Sequence, residues 1–288
     1  MEQSTLIIQD LSCAGQVSLT TALPILGASG CQPAVLPTAL LSTHTGGFGN
    51  NTYLDLSSEI SKILKHWETV PLTFSYVLLG YLGKNVPQII AKYLPKITAD
   101  KAVILLDPVT ADSGRLYQGF DLAYVAQIKR LAKQAKIITP NLTEAELLLG
   151  LPLTKTSVVK SSYAQKILTN LSQLYPQTAI LLTGVHLDHG QIAVFGRENF
   201  SREIWKISLP QEPANYFGTG DLFASTLLAC LIKNKNLPTA VKITMNFIAA
   251  NIAVSLKKNP ADPRIGLDYS PCLPVLLKQL NQKGENDS

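Results

Sequence analysis

The sequence predicts an α/β fold in which a mostly parallel central sheet carries helices on both faces. Short, near-continuous apolar runs of strand length recur along the chain, as expected for strands that are buried on both faces. Amphipathic segments with helical periodicity separate these runs, and this alternation is typical of βαβ units. The 288 residues are 46% hydrophobic, which suffices for a sizeable core, and no repeat or linker interrupts them. We therefore expect one domain that spans residues 1–288.

The predicted parallel strands come first along the chain. They are Thr5–Gln9, Pro33–Leu40, Tyr76–Leu79, Ala102–Leu106, Lys136–Thr139 and Ala179–Thr183. Between them, one helix is predicted where Leu122, Val125 and Ile128 share an apolar face opposite Lys129. A second helix is predicted over Val158–Leu174 by the same criterion. These elements follow the strand–helix–strand order that parallel pairing requires.

The pattern changes after the last of these strands. Gln191–Phe195 and Glu203–Leu209 predict two antiparallel strands that are joined by a polar turn. Two helices, over Leu222–Lys233 and Ala240–Leu256, complete the predicted fold.

Charge and hydropathy exclude two classes of protein. The formal net charge is +5 and the longest basic run is the pair Lys257-Lys258, whereas nucleic-acid-binding proteins concentrate positive charge in a patch or stripe. A modest positive balance suits small anionic ligands. No uninterrupted apolar stretch reaches the length of about 18 residues that spans a membrane. We therefore expect neither a nucleic-acid partner nor a membrane partner.

Cysteine usage indicates a reducing compartment. The four cysteines, Cys13, Cys31, Cys230 and Cys272, form no C-x-x-C pair, so a zinc site is not expected. A chain of this length does not need disulfides to fold. The N-terminal residues lack the basic and apolar regions of a secretory signal. These features predict a cytoplasmic protein with reduced thiols.

Polar residues follow almost every predicted parallel strand. They are Asp10, Tyr81, Asp107 with Asp112, Thr139 and Asn141 with Glu144, and Thr183. Any one of them could merely begin a turn or cap a helix. Ligands of open parallel sheets bind beyond the carboxyl ends of the strands, so the recurrence of such residues predicts a binding site at that edge.

The sharpest local feature is Gly218-Thr219-Gly220-Asp221, which directly precedes a predicted helix. Two glycines permit a tight turn with converging N–H groups, and the helix N-terminus adds partial positive charge, so the segment predicts an anion pocket. A carboxylate there is poorly suited to bind phosphate. It is well suited to accept the proton of an alcohol that attacks the phosphate. The alternative is a glycine turn in which Asp221 only caps the helix.

Asn141 and Glu144 form an N-x-x-E pair at the start of another predicted helix. The carboxylate could hold Mg²⁺, directly or through water, but the same spacing is also that of a capping box. The chain contains no G-x-x-x-x-G-K-[ST] segment, and no G-x-G-x-x-G follows the first strand. Neither a P-loop nor a standard dinucleotide-binding fold is therefore expected.

Together these motifs resemble the ribokinase superfamily, and further blocks resemble its pyridoxal kinase family. The blocks are Ser42-Thr43-His44-Thr45-Gly46, Gly80-Tyr81-Leu82-Gly83, Asp107-Pro108-Val109-x-x-Asp112 with Leu116-Tyr117, and Thr139-Pro140-Asn141-x-x-Glu144. They occur in the family's order, between about Leu6 and Ile252, and are specific in combination.

The resemblance implies a ribokinase-like three-layer fold and an ATP- and Mg²⁺-dependent kinase, usually a homodimer. Its substrate would be the 5′-hydroxymethyl group of pyridoxal, pyridoxine or pyridoxamine, in vitamin B6 salvage. A monovalent cation is a further candidate cofactor. By motif position, the resemblance implies Asp221 as catalytic base; Gly218, Thr219 and Gly220 as anion hole; Asp107 and Glu144 at the metal; Asp112, Tyr117, Thr139, Asn141 and Thr183 at ATP; and Asp10, Val17, Leu41, His44, Thr45 and Tyr81 at the substrate.

Asp10 is the main departure from the family pattern, because many members have Ser there. A carboxylate could accept a hydrogen bond from a ring hydroxyl or a protonated ring nitrogen. It also brings the chain closer to the hydroxymethylpyrimidine kinases, the main alternative function; a non-catalytic ligand-binding protein on the same fold is the other. His44 is expected to stack on the ring rather than to transfer protons. Tyr216 and Phe217 replace the paired cysteines of some related kinases, so no thiol-assisted aldehyde trap is expected.

Overall fold

A nine-stranded sheet forms the centre of the protein, in the strand order β11-β10-β9-β8-β5-β4-β1-β2-β3. The structure is a computed structural model that describes residues 4–70, 72–156, 158–257 and 262–282. The strands are β1 (Thr5–Ser12), β2 (Ala34–Leu41), β3 (Tyr53–Asp55), β4 (Phe74–Leu79), β5 (Thr98–Leu106), β6 (Ala111–Asp112), β7 (Arg115–Leu116), β8 (Ile137–Ile138), β9 (Ala179–Leu187), β10 (Gln191–Arg197) and β11 (Trp205–Pro210). The short strands β6 and β7 form a separate antiparallel pair.

The six strands from β2 to β9 in the middle of the sheet are parallel to one another. The edge strands β3, β10 and β11 are antiparallel to their neighbours. The predicted mostly parallel sheet and the predicted antiparallel pair after residue 190 are therefore both confirmed.

Helices cover both faces of this sheet. They are α1 (Leu19–Ala28), α2 (Ser57–Trp67), α3 (Val86–Ile97), α4 (Leu122–Ala132), α5 (Leu142–Leu149), α6 (Ser161–Leu174), α7 (Thr219–Ile232), α8 (Leu237–Lys257) and α9 (Leu273–Asn281). In β1, Leu6 and Ile8 join the apolar cluster with α2 to α6, whereas Ile7 joins the cluster with α1, α7, α8 and α9. Because successive side chains of a strand point to opposite faces, one apolar run fills two cores. The predicted three-layer fold is thus confirmed.

Helix α8 is long and apolar enough to cross a membrane by length and composition alone. It packs against α7 and β11, and its buried residues include Ala240, Val241 and Phe247 of the apolar cluster on that face. A helix that is apolar around most of its surface is also what the interior of a large fold requires. Its composition is accounted for by this packing.

Strand β1 and helix α4 each differ from the sequence prediction. Strand β1 continues through Asp10 to Ser12, with an irregular register between Gln9 and Leu11. Leu122, which was expected on the buried face of α4, is 70% exposed. It is the first residue of the helix and follows the N-cap Asp121, so it lies before the turn that meets the sheet; the buried face begins at Tyr124.

Candidate active site

A single cavity of about 600 Å³ opens at the carboxyl edge of the parallel strands. Every site residue expected from the sequence lines it: Asp10, Val17, Leu41, His44, Thr45, Tyr81, Asp107, Asp112, Tyr117, Thr139, Asn141, Glu144, Thr183, Gly218, Thr219, Gly220 and Asp221. The cavity is large enough for a small ligand and has convergent polar groups, as binding sites usually do. The fold thus brings together residues that are up to about two hundred positions apart in the sequence.

The turn before α7 requires glycine for two different reasons. Gly218, the N-cap of α7, has φ 78°, and a Cβ there would lie 2.4 Å from the carbonyl oxygen of Gln16. At Gly220 the backbone is unstrained, and a Cβ would lie 3.6 Å from Oδ2 of Asp107. The N-terminus of the 14-residue helix α7 therefore faces the cavity without a covering side chain at Gly220. Such a terminus stabilises negative charge.

Asp221 lies in the first turn of α7. Its Oδ1 accepts a hydrogen bond from Nε2 of Gln9 at 3.2 Å. Burial raises the pKa of Asp221 to about 7 and the charge of Asp10 adds to the rise, while hydrogen bonds from the Ser18 backbone and Gln9 oppose it. A carboxyl whose pKa lies near neutrality is suited to accept a proton from a substrate alcohol.

Asp107 is repelled by two other carboxyl groups of the cavity, those of Glu144 and Asp221. The pKa of Asp107 is raised well above its usual value by burial and then by Glu144 and Asp221. The pKa of Glu144 is raised to about 7, mainly by burial. A cation bound between such groups would relieve both the repulsion and the cost of burying them. This donor set of carboxylate oxygens suits Mg²⁺.

The capping alternative for Asn141 and Glu144 is realised in the structure. The Asn141 side chain accepts from the Glu144 backbone N–H at 2.9 Å, and Glu144 Oε2 accepts from the Asn141 N–H at 3.0 Å. Glu144 Oε1 also accepts from the backbone N–H of Thr110 at 2.9 Å. Each carboxylate oxygen retains a second lone pair, so capping leaves room for a contact to a metal or to its water.

Within the described residues, no group of three or more His, Cys, Asp or Glu side chains is arranged as a complete metal site. Mg²⁺ is commonly held by one or two carboxylates together with substrate phosphates rather than by a cage of protein ligands. The pair of Asp107 and Glu144 fits that mode of binding. Their role as metal ligands stays a prediction.

The residues that the sequence predicts at the nucleotide line the same cavity. The Thr183 hydroxyl is shared between the carbonyls of Thr139 and Pro140, both at 3.3 Å. The hydroxyl of Thr139 is buried and has no partner among the described residues, so it is available to a ligand. Tyr117 donates its backbone N–H to Thr110 at 3.0 Å and stays 36% exposed. Asp112 and Tyr117 belong to the β6–β7 segment that borders the cavity.

Asp10 lines the cavity at the point where the register of β1 is irregular. It is only 3% exposed, and Oδ2 accepts a hydrogen bond from the Ser12 hydroxyl at 2.9 Å. Burial raises its pKa, whereas hydrogen bonds from Ser18 and Ser12 oppose the rise. Val17 and Leu41 line the cavity as buried apolar walls nearby. This arrangement can bind a flat ring that presents a hydrogen-bond donor to Asp10.

Both ring nitrogens of His44 are occupied by the backbone. Nδ1 accepts the N–H of Gly46 at 3.1 Å, which leaves Nε2 to donate to the carbonyl of Arg264 at 2.6 Å. The imidazole lies 4.8 Å from the ring of Phe217 and 5.0 Å from that of Phe48, measured between centroids. These contacts leave the ring face, rather than a nitrogen, as the part of His44 that a ligand can reach.

Two sets of cavity residues were not expected from the sequence. The wall away from the parallel strands comes from the edge hairpin and α8, and its apolar members include Ile192, Val194, Leu209, Met245, Ile248 and Ile252. The alternation of residues in β10 and β11 could have identified this wall, because one face of an edge hairpin must face inwards. Ser18, which also lines the cavity, and Gln9, which is buried and does not line it, hydrogen-bond to Asp221 and carry no such signal.

Comparison with known proteins identifies the family of the chain. The family model described as phosphomethylpyrimidine kinase matches residues 26–263. The chain belongs to this kinase family. The pyridoxal kinase of Lactobacillus plantarum is 32% identical, with a TM-score of 0.88 over 96% of this chain and 98% of that one. The match confirms the predicted family and the prediction of an ATP-dependent kinase.

Two further family members match over almost the whole chain. A candidate phosphomethylpyrimidine kinase from Bacteroides thetaiotaomicron, crystallised in a form with pyridoxal, is 32% identical with a TM-score of 0.88, covering 98% of this kinase and 97% of that chain. The pyridoxal kinase of Arabidopsis thaliana is 26% identical over 96% of this kinase and 92% of its own length. Coverage on both sides is nearly complete, so the likeness extends over the kinase fold as a whole.

Replacing Gly220 by Ala should weaken ATP binding without unfolding the kinase, because the methyl group fits the backbone but covers the anion-binding turn. Calorimetric titration with ATP measures the loss. Gly27→Ala is the matched control, since a Cβ there meets no atom within 4 Å. Gly218→Ala should instead lower the free energy of unfolding by about 1–3 kcal/mol through backbone strain. Unchanged ATP affinity of Gly220→Ala would contradict the assignment of the turn as an anion site.

Proposed function

We propose that the chain is a single-domain kinase that transfers the γ-phosphate of ATP to the 5′-hydroxymethyl group of pyridoxal, pyridoxine or pyridoxamine. The observation that carries this proposal is the position of Asp221, a carboxylate that faces the cavity from the first turn of α7, next to an uncovered helix N-terminus. The family and the printed names of its relatives support this substrate class.

In this proposal the turn before α7 binds the phosphoryl group that is transferred. Backbone N–H groups at Thr219 and Gly220, with the partial positive charge of the helix, stabilise negative charge on the phosphoryl oxygens. Asp221 accepts the proton of the attacking hydroxyl. Because phosphoryl transfer depends mainly on positioning and charge stabilisation, the main task of these residues is to hold the hydroxyl and the phosphate in line.

Asp107 and Glu144 would hold Mg²⁺ in the proposed enzyme. When bound, Mg²⁺ neutralises charge on the triphosphate and helps to orient it. The repulsion of Asp107 by Glu144 and by Asp221 supports a cation at this position. The unpaired hydroxyl of Thr139 would donate to a phosphate oxygen close by.

Asp10 would accept a hydrogen bond from the pyridine ring of the substrate, from its hydroxyl or its protonated nitrogen. Val17 and Leu41 would pack against the ring, and Thr45 and Tyr81 would contact its edge. The faces of His44 and Phe217 would close the pocket. An aromatic, flat pocket of this kind favours a heteroaromatic alcohol over a sugar.

We further infer that the enzyme works in the cytoplasm as a homodimer. The dimer is the usual state implied by the family resemblance. The compartment is supported by the four cysteines, none of which is joined in a disulfide within the part of the chain that the structure describes, since thiols stay reduced in the cytosol.

The substrate proposal predicts a defined order of activities. Purified protein with ATP and Mg²⁺ should phosphorylate the three vitamers faster than hydroxymethylpyrimidine, as measured by coupled ADP release and phosphate-ester product. Asp10→Ser should alter the ranking of the vitamers more than the KM for ATP, because the change lies at the ring. Turnover of hydroxymethylpyrimidine alone would overturn the B6 assignment in favour of the pyrimidine kinase. No turnover of any alcohol would favour a non-catalytic binding protein.

Asp221→Asn should lower kcat by about 10²- to 10⁴-fold, because it removes the proton acceptor but keeps size and capping ability. ATP affinity should be unchanged or tighter, since a negative charge beside the phosphates is lost. In the native enzyme, kcat/KM should rise with pH through about 7 as Asp221 loses its proton. In the variant, kcat/KM should not show this rise. Near-native kcat in Asp221→Asn would refute the role as base.

Glu144→Gln should raise the Mg²⁺ concentration for half-maximal rate and slow turnover, because a carboxylate near the metal is lost. It should also cost about 1 kcal/mol of stability, since one of the two backbone N–H donors loses its acceptor. Glu146→Gln is the matched control: this carboxylate also accepts several hydrogen bonds, from Thr154 and Tyr163, but lies outside the cavity lining. If the two variants depend on Mg²⁺ to the same extent, Glu144 only caps the helix and does not act at the metal.

A further inference from the structure

Gln9 is a buried polar residue that contacts the proposed catalytic base from the interior of β1. Its side chain is 0% exposed. Nε2 donates to Oδ1 of Asp221 at 3.2 Å, although the two residues are separated by 212 positions in the sequence. No family motif used above includes Gln9. The contact joins strand β1 to the first turn of α7.

The adjacent glycine provides the space that this side chain occupies. A Cβ at Gly80 would lie 2.1 Å from Nε2 of Gln9 and 2.6 Å from its Cγ. Gly80 is not among the residues with positive φ, so its conformation is open to any residue. Its N–H donates to the carbonyl of Ile8 at 3.1 Å, which fixes the end of β4 beside Gln9. The glycine is therefore required by the glutamine side chain and not by the backbone.

Stability alone does not account for a glutamine at this position. Oε1 of Gln9 is buried and has no partner among the described residues, and a buried unpaired acceptor is unfavourable. A methionine of similar shape would avoid that cost. The amide nitrogen of Gln9, by contrast, donates to Asp221. The interaction that offsets the cost of the unpaired oxygen is therefore the one at the candidate active site.

We propose that Gln9 is a positioning residue that fixes the orientation of the Asp221 carboxylate. Because Gly80 has no side chain, it leaves the space that the Gln9 amide needs to make this contact. The terminal torsion of an aspartate side chain has a broad energy minimum, so a carboxylate without a partner turns easily. The Ser18 backbone is the other hydrogen-bond partner of this carboxylate. Gln9 adds a second contact at Oδ1, and two contacts restrict the rotation of the carboxylate more than one does as it faces the cavity. This inference rests on the proposed role of Asp221 as base.

The first test replaces the amide by an apolar side chain of similar shape. Gln9→Met should lower kcat by up to about 10²-fold, the scale of a catalytic group that is misplaced by about 1 Å, with the KM for ATP unchanged and the thermal stability equal or higher. Gln134→Met is the matched control, since Gln134 also donates to one acceptor, the Ala91 carbonyl at 3.2 Å, and has an unpaired Oε1. An unchanged kcat in Gln9→Met, or a loss that falls on KM alone, would overturn the proposal.

The second test uses the close packing between Gly80 and Gln9. Gly80→Ala should lower kcat in the native background because its methyl group displaces the amide. In a Gln9→Ala background the same change should have little further effect, since the space is then vacant. Additive losses in the double variant would mean that Gly80 acts independently of Gln9, and would overturn the pairing.

A third measurement does not depend on kinase activity. In protein labelled with ¹⁵N-glutamine, the side-chain amide signal that disappears in Gln9→Met belongs to Gln9. Asp221→Asn should shift that signal and leave the signal of Gln134 in place. If native enzyme phosphorylates no alcohol but the shift is present, the proposed function fails while the contact stands. If native enzyme is active and the signal does not move, the positioning role fails instead.

Discussion

The site depends on holding several carboxyl groups close together in a cavity that gives them little solvation. Asp107 is repelled by both Glu144 and Asp221, and burial is the largest cause of the raised pKa of all three carboxyl groups. Such groups cannot all be ionised without counter-charge. What counters them here is the backbone: the N–H groups of Thr110 and Asn141 at Glu144, and the N-terminus of α7 beside Asp221. These dipoles offset part of the negative charge that burial leaves poorly solvated.

The segment around Gln16 connects the parts of the chain that surround this region. Its N–H donates to the carbonyl of Ile265 at 2.6 Å. Its carbonyl oxygen lies so close to Gly218 and Gly266 that a Cβ at either would approach it to 2.4 and 2.6 Å, and both glycines have positive φ. Two residues later, the Ser18 backbone hydrogen-bonds to Asp221. The geometry of the anion-binding turn is therefore set by a loop that lies far from it in the sequence.

Sequence and structure agree where the fold itself imposes the position of a residue. Parallel strands bring their carboxyl ends to one edge, so Asp107, which directly follows β5, could be assigned to the site from its place in the sequence alone. Leu122 could not be placed in this way, because periodicity does not indicate where a helix first meets the sheet. Gln9 was missed for a related reason: inside a strand that is buried on both faces, a single polar residue gives no indication of the partner that approaches it from another element.

The raised pKa of Asp221 also sets a balance between stability and function. In an unfolded chain this carboxyl would titrate near 3.8, whereas in the folded protein it titrates near 7. The folded state therefore holds the proton more tightly, so the free energy of unfolding falls as pH rises from about 4 to about 7 and stays lower above that range. The ionised form that can accept a proton is the form that the fold disfavours. Gln9 reduces this conflict, because its hydrogen bond favours the charged carboxylate while burial opposes it. The Ser18 backbone, in the cavity lining, makes the other hydrogen bond of this kind, so the ionised carboxylate is stabilised both from the cavity wall and from the core of the sheet.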